Sequence, residues 1–231
     1  MKMIEAALAL SLEQIDELKK TIEFFGYKTI LLENQIEETV ISTVSKKIGS
    51  LNLYLRKTLA DTGKKEGNKE ILDYWRSKVV ILSQQCINPE TTKWASNDQR
   101  IDNLQFPADK IHQLLDLSTA RMMVENNKCL EVSLKPYLFN SHLSLGFYRN
   151  LKKALHRCKI KGVPVIFLTY ASTIYDFIGF EELSGFASFV SLNNRYIKEV
   201  SQPKIEEIIQ RNVKRLTNEY IGPGIWKCND E

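Results

Sequence analysis

Histidine is rare in this chain of 231 residues, which contains three: His112, His142 and His156. They form no H-x-H or H-E-x-x-H motif, and no second metal-ligating residue lies in tight spacing beside any of them. Hydrolytic barrels and metalloproteases collect such residues to bind a catalytic metal. We therefore expect this protein to bind no metal and no other cofactor.

Phosphate-binding loops and nucleophile motifs are missing as well. The ten glycines are scattered along the chain, so no loop resembles the phosphate-binding turns of nucleotide enzymes. No G-x-S-x-G or related local signature marks a catalytic serine or cysteine. The sequence thus predicts no catalytic residue of its own.

Long apolar runs are also absent, since no stretch reaches the roughly eighteen apolar residues of a membrane span. An acid at Glu5 stands where a secretory signal would be apolar. The four cysteines, at 86, 129, 158 and 228, form no C-x-x-C pair. We expect a cytoplasmic protein with reduced thiols and no membrane contact.

What the chain does contain is an alternation of short apolar runs with longer amphipathic stretches, which is typical of βα units. Strands are predicted at 3–10, 28–33, 51–57, 79–82, 100–106, 130–134, 163–168 and 196–200. Helices are predicted at 11–25, 35–47, 69–76, 111–122, 145–158, 180–190 and from 203 onward. Eight strands without a linker favour an α/β fold, with residues 1–231 forming a single (β/α)₈ TIM-barrel-like domain.

Basic residues are unevenly distributed, although the formal net charge is only +4. Residues 132–175 contain seven Lys and Arg and no Asp or Glu. A predicted helix in this segment places a set of cations on one face, opposite an apolar stripe: Arg149, Lys152, Lys153, His156 and Arg157. No acid is interleaved to form the usual i,i+4 pairs. The helix favours contact with RNA or another phosphate-bearing partner, and a plain solvated face is the alternative.

A second basic cluster combines the end of the third predicted strand with a polar loop. It contains Arg56, Lys57, Lys64, Lys65 and Lys69, and a solvated loop is again the alternative. A third cluster, near the last predicted helix, is diluted by glutamates and is interpreted as surface. The candidate RNA-binding residues are therefore Arg149, Lys152, Lys153, Arg157, Arg56, Lys57, Lys64 and Lys65.

The second half of the chain resembles a known family, over about residues 100–228. The matching segments are LEVSLKPYL at 130–138, the basic helix, GVPVI at 162–166, Ala171-Ser172, PKIEEII at 203–209, Arg211-Asn212 and PGI at 223–225. They are similar to the thirty-kilodalton-class protein subunits of ribonuclease P, called protein component 3 in archaea. The chain departs from the family pattern at 176–182, where an arginine is missing, and at Val190-Ser191, which replaces a common Leu-Gly pair.

The resemblance implies a barrel related to the polymerase-and-histidinol-phosphatase barrels but without their metals. It also implies a subunit of the ribonucleoprotein that removes the 5′ leader of precursor tRNA. There the RNA subunit, aided by Mg²⁺, performs the hydrolysis, and the isolated protein is inactive. The implied partners are ribonuclease P RNA, precursor tRNA through the holoenzyme, and a small α/β protein subunit in a heterodimer or heterotetramer.

Two other functions remain open at this point. One is a barrel-type, metal-dependent phosphoesterase acting on a small phosphate-containing substrate. The other is an assembly protein that contacts only other proteins. RNA copurifying with the chain would distinguish both from a ribonuclease P subunit.

Overall fold

In the computed structural model, seven strands form one parallel sheet in sequential order. The structure describes residues 3–7, 15–33, 51–61, 68–138, 144–217, 220–222 and 225–226. The strands are β1 (Met3–Ala7), β2 (Tyr27–Glu33), β3 (Asn52–Leu59), β4 (Ile81–Gln85), β5 (Asn103–Gln105), β6 (Cys129–Ser133) and β7 (Val165–Leu168). A separate antiparallel pair consists of β8 (Tyr220–Gly222) and β9 (Ile225–Trp226).

Most connections between the strands contain helices. These are α1 (Ile15–Phe25), α2 (Asn68–Arg76), α3 (Pro89–Asn97), α4 (Ile111–Leu114), α5 (Leu117–Glu125), α6 (Lys135–Leu138) and α7 (Leu145–Lys161). After β7 come α8 (Phe180–Phe189), the short α9 (Asn194–Tyr196), a π-helical turn (Ile197–Ser201) and α10 (Gln202–Arg215). None of the helices in the described part of the chain is long and apolar enough to cross a membrane.

The sheet separates two apolar layers, because parallel strands are buried on both faces. In β6, Leu130 and Val132 pack outward under the helices, whereas Cys129 packs inward. The inner layer is closed by Ile205 and Ile208 of α10. This helix contacts the first, the middle and the last strand of the sheet, namely β1, β4 and β7. Such contacts require the sheet to curl around α10.

The outermost strands are capped by side chains from the segment that follows α8. The Ile4 amide of β1 donates to Gln202 Oε1 (3.1 Å). The Val165 amide of β7 donates to the Tyr196 hydroxyl oxygen (2.9 Å). Exposed strand edges are templates for unwanted pairing, so these two contacts protect both ends of the sheet.

The predicted α/β barrel-like architecture is confirmed, but the predicted eighth strand is wrong. Residues 196–200 are helical, because the Asn193 side chain accepts the Tyr196 amide (2.8 Å) and starts a helical turn. Ile197, Ser201, Ile205 and Ile208 are then buried at intervals of three or four residues. The fifth strand is shorter than predicted, and the predicted helix at 35–47 lies outside the described residues. The extent of the domain, 1–231, stays a prediction.

Candidate RNA interface

The basic helix predicted from the sequence is α7. Its Leu151, Ala154, Leu155 and Cys158 are buried against the rest of the protein. The helix ends at Gly162, whose positive φ of 79° suits glycine and whose amide donates to the Cys158 carbonyl. Burial of one stripe fixes the rotation of the helix, so the basic side chains face away from the core.

A groove runs between α7 and the chain that follows α8. It has a volume of about 380 Å³ and is lined by Arg149, Lys152, Lys153, Leu155, His156, Lys159, Val190, Ser191 and Leu192. We call this surface the basic groove. It brings together three of the predicted RNA-binding residues, Arg149, Lys152 and Lys153, and adds His156 and Lys159.

The polar side chains of the basic groove are available to a partner. Arg149, Lys153, His156 and Lys159 are exposed, and within the described residues none of them forms an ion pair. Lys152 is half-buried, with its Nζ atom 4.6 Å from the centre of the Phe189 ring. This cation–π contact holds the ammonium over the groove without neutralising it.

Arg157 has a different task. Its Nη1 atom donates to the carbonyl of His112 and to that of Leu115 (2.9 Å). The His112 carbonyl lies in α4 and the Leu115 carbonyl directly after it, so Arg157 links α7 to α4 by hydrogen bonds. Its guanidinium is thus engaged inside the protein and does not line the basic groove.

The second predicted cluster is not assembled as one surface. Arg56 is completely buried, so in this structure it has no surface to offer an RNA phosphate, which corrects its assignment. Lys57 is half-buried with its Nζ atom 5.2 Å from the Trp75 ring centre. Lys64 and Lys65 lie outside the described residues.

Arg56 belongs instead to a buried polar cluster inside the curl of the sheet, which we call the interior network. Its Nη2 atom lies 2.8 Å from Glu131 Oε1, and its Nε atom lies 3.0 Å from Glu33 Oε2. Glu131 is the centre of the network. It accepts hydrogen bonds from five side chains: Arg56, Ser83 (2.9 Å), Asn103 (2.8 Å), Gln105 (2.6 Å) and Tyr170.

The charges of the interior network hold each other in the ionised state. Burial alone would raise the pKa of Glu131, but Arg56 and the other donors lower it below its usual range. Burial alone would lower the pKa of Arg56, but Glu131, Tyr170 and Glu33 raise it. A carboxylate with five donors has no free lone pair for acid–base or nucleophilic work, so this cluster is structural.

The backbone of Tyr170 is strained at the edge of the network. Its φ is 57°, in the left-handed region that bulky residues rarely adopt. This conformation directs the hydroxyl to Glu131 and stacks the ring 4.8 Å from the Arg56 guanidinium carbon. The sequence carries a signal for one member of this cluster, since Glu131 sits between Leu130 and Val132 in a predicted strand, whereas Arg56 is followed by Lys57 and reads as part of a basic surface.

Possible metal ligands and thiols do not form a site within the part of the chain that the structure describes. No three His, Cys, Asp or Glu side chains there come together as a metal site would require. Cys86, Cys129 and Cys158 are free and buried. Burial raises the pKa of Cys129 and Cys158 to about 12, so these thiols are protonated and unreactive at neutral pH.

Two solved structures are similar to this chain. A chain of the cryo-EM structure of archaeal ribonuclease P with mature tRNA is similar over 99% of this chain and 100% of that chain, at a TM-score of 0.80 and 16% identity. A phospho-2-dehydro-3-deoxyheptonate aldolase from Thermotoga maritima is similar over 92% of this chain and 68% of that chain, at a TM-score of 0.46 and 12% identity. The chain from archaeal ribonuclease P has the same fold as this protein.

Sequence comparison identifies the family. No curated protein matches this sequence. The family model described as RNase P subunit p30, however, matches residues 6–217, which is nearly the whole chain. The chain therefore belongs to the RNase P subunit p30 family.

Proposed function

We propose that the chain binds and stabilises the catalytic RNA of ribonuclease P, the ribonucleoprotein that removes the 5′ leader of precursor tRNA. Membership of the p30 family supports this role, as does the fold shared with a chain of archaeal ribonuclease P in complex with mature tRNA. The observation that carries it is the basic groove. Its exposed cations have no ion-pair partner within the described residues.

The groove is suited to the phosphate backbone rather than to base edges. Lys and Arg neutralise phosphates without reading sequence. Six Lys and Arg follow one another in α7 with no acid between them, so a polyanion meets no local repulsion. The groove itself is lined on its other side by Val190 and Leu192. We expect affinity to depend strongly on salt and weakly on RNA sequence.

The protein is proposed to be a scaffold for the RNA and not the catalyst. Hydrolysis then belongs to the RNA with its Mg²⁺, and the isolated chain is inactive. A small α/β protein subunit is the proposed protein partner, in a heterodimer or heterotetramer. A cytoplasmic location is part of the same proposal.

The test is the salt dependence of binding to ribonuclease P RNA. The double variant Arg149→Gln and Lys153→Gln removes two exposed groove charges. Each lost phosphate contact lowers the slope of log K against log salt by about 0.7–0.9, so the slope should flatten by about 1.4–1.8. The matched control is Lys19→Gln with Lys93→Gln, which removes two exposed charges on α1 and α3.

The control should bind RNA with the wild-type slope, whereas an unchanged slope in the groove variant would refute the proposed interface. The RNA-free protein is assayed in parallel with Mg²⁺, Mn²⁺ and Zn²⁺ against precursor tRNA and a generic phosphoester. Turnover that is lost on changing His112, His142 or His156 would favour a phosphoesterase instead.

A further inference from the structure

A cleft opens at the mouth of the curled sheet, apart from the basic groove. It has a volume of about 560 Å³ and lies where β4, β5 and β6 end, next to Tyr170. We call it the mouth cleft. Barrel proteins place their ligands at the carboxyl ends of the strands, and clefts of about 300–1,000 Å³ hold small molecules. Position and size therefore make it a candidate binding site.

Three polar groups of the mouth cleft have bonding capacity left over. Gln85, Gln105 and Ser133 are the last residues of their strands, and all three are half-buried. Within the described residues, the Gln85 carboxamide and the Ser133 hydroxyl make no hydrogen bond. Gln105 uses its amide nitrogen on Glu131 and Tyr170, which leaves its Oε1 as an acceptor. The cleft thus offers neutral donors and acceptors side by side.

Two charged residues, Glu131 and Lys135, line the mouth cleft. Glu131 lies in its wall but is neutralised by Arg56. Lys135 is the cation of the lining, with 40% of its side chain exposed. Its Nζ atom contacts the Ser172 hydroxyl and forms a salt bridge with Asp176 at 3.6 Å, a distance longer than a hydrogen bond, so the ammonium keeps donor capacity. One anionic group of a ligand therefore has a partner in Lys135.

An aromatic surface completes the lining. The ring of Phe106 is half-buried and lines the cleft directly after Gln105. Aromatic side chains stack on nucleobases of any kind, and carboxamides pair with base edges as donor and acceptor together. A ligand that contacts the Phe106 ring, the neutral polar side chains and Lys135 has a planar heterocycle with polar edges and one phosphate.

We propose that the mouth cleft binds one nucleotide unit. The base stacks on Phe106, its polar edge meets Gln85, Gln105 and Ser133, and the phosphate pairs with Lys135. Two sources share this chemistry: a free nucleoside monophosphate and an unpaired nucleotide of an RNA. The inference rests on the proposed function only where the nucleotide belongs to RNA.

The primary test measures binding of AMP, GMP, CMP and UMP to the full RNA-free chain by calorimetry at fixed ionic strength. Saturable binding of at least one of them at one site is expected. Phe106→Ala should weaken it about 5- to 150-fold, since stacking contributes about 1–3 kcal/mol per base. Phe24→Ala, which removes an exposed phenylalanine from α1, is the matched control and should bind as wild type.

A second variant separates lost binding from lost folding. Lys135→Gln should weaken binding of the monophosphate about tenfold but leave binding of the corresponding nucleoside unchanged. Unfolding of Phe106→Ala would remove that variant from the comparison, and Lys135→Gln then decides. Absence of saturable binding by all four nucleotides, or wild-type affinity in Lys135→Gln, would overturn the proposal. Equal affinity for inorganic phosphate and for the nucleotides would overturn it too.

Competition with ribonuclease P RNA identifies the source. Displacement of the bound monophosphate by RNA assigns the cleft to an RNA nucleotide, whereas simultaneous binding assigns it to a free nucleotide. The groove variant Arg149→Gln with Lys153→Gln should retain the mononucleotide affinity of the wild type. Failure of the groove experiment and failure of the cleft experiment are therefore separate outcomes.

Discussion

The interior network and the basic groove both contain arginine, but they use its charge in opposite ways. Arg56 is completely buried and paired with Glu131 and Glu33. Arg149 is exposed and, among the described residues, has no ion-pair partner. The charge of Arg56 stabilises contacts between strands, whereas the charge of Arg149 is free to bind a partner.

The difference follows from where each residue sits in its element. Arg56 occupies an inward position of β3, and the sheet curls around it. Arg149 occupies the face of α7 opposite to Leu151 and Leu155, which are buried. One arginine therefore stabilises the fold, whereas the other is placed to bind a partner. For this reason, a count of basic residues does not locate a binding site.

The largest effect is expected from Glu131→Leu, because it leaves the Arg56 charge buried without its main partner. Breaking a buried ion pair by removing one partner costs about 3–5 kcal/mol. Urea unfolding should show a loss of this size. The double variant Arg56→Met with Glu131→Leu should recover only part of it: no unpaired guanidinium remains, but the other four donors to Glu131 still lack their acceptor. A wild-type midpoint for the single variant would show that Glu33 alone supports Arg56.

The basic groove could be predicted from the sequence because its information is local. Spacing of three and four residues in α7 defines the basic face and the apolar stripe, and both are where the pattern placed them except for Arg157, which binds carbonyls at α4. The wall formed by Val190 and Leu192 was not predicted, because contacts between the end of α8 and α7 are not encoded by spacing.

The interior network and the helical structure of residues 196–200 were harder to predict from the sequence, for a physical reason. Arg56 and Glu131 are 75 residues apart, and only the inward register of two non-adjacent strands brings them together. At 196–200, the β-branched residues favoured a strand. The helical burial of Ile197 and Ser201 becomes visible only when the pattern is continued into α10.

Lys128 differs from both arginines, because it is buried and its ammonium donates to backbone carbonyls instead of a carboxylate. It is 2% exposed, and its Nζ atom donates to the carbonyls of Asp98 (2.5 Å) and Ile101 (2.6 Å). Burial lowers its pKa to about 8, with Arg211 and Arg76 acting in the same direction, against the opposing effect of Asp102 and Asp98.

Because the folded chain releases the Lys128 proton near pH 8 and the unfolded chain retains it to about 10.5, Lys128 alone contributes stability that rises with pH in this window. The buried Cys129 and Cys158 act in the opposite direction, since their thiols ionise first in the unfolded chain. The expected gain is about 1–2 kcal/mol between pH 8 and about 9.5, below the ordinary tyrosine pKa. In urea unfolding across this range, the stability of the wild type minus that of Lys128→Met should rise by this amount, because the contribution of the buried cysteines is the same in both proteins. The same pH slope in both proteins would contradict the assignment.

A smaller effect is expected at Ser191, on the wall of the basic groove. Its φ of 71° is a left-handed conformation, which costs a non-glycine residue about 1–2 kcal/mol. Glycine adopts it freely but loses more backbone entropy on folding. Ser191→Gly should therefore stabilise the protein by about 0.5–1 kcal/mol in thermal or urea unfolding.

Ser188→Gly is the matched control for that substitution. Ser188 is exposed near the end of α8, the helix that precedes Ser191, and glycine there lowers helix stability by roughly 0.5 kcal/mol. The two changes are chemically identical and should have opposite signs. A loss of stability in both variants would mean that the Ser191 hydroxyl contributes more than its backbone strain costs.

The smallest effect on stability is expected from removing the groove charges with Arg149→Gln and Lys153→Gln. These residues are four apart in α7 and carry like charges, whose repulsion costs about 0.2–0.5 kcal/mol. Unfolding should therefore be unchanged or slightly more difficult, with any gain fading as salt screens the repulsion. Guanidinium chloride would mask this term, so urea at low and high salt is the suitable measurement. A loss above about 1 kcal/mol exceeds what exposed substitutions normally cause and would show that these side chains support the fold. Weakened RNA binding by the variant would then no longer locate an interface.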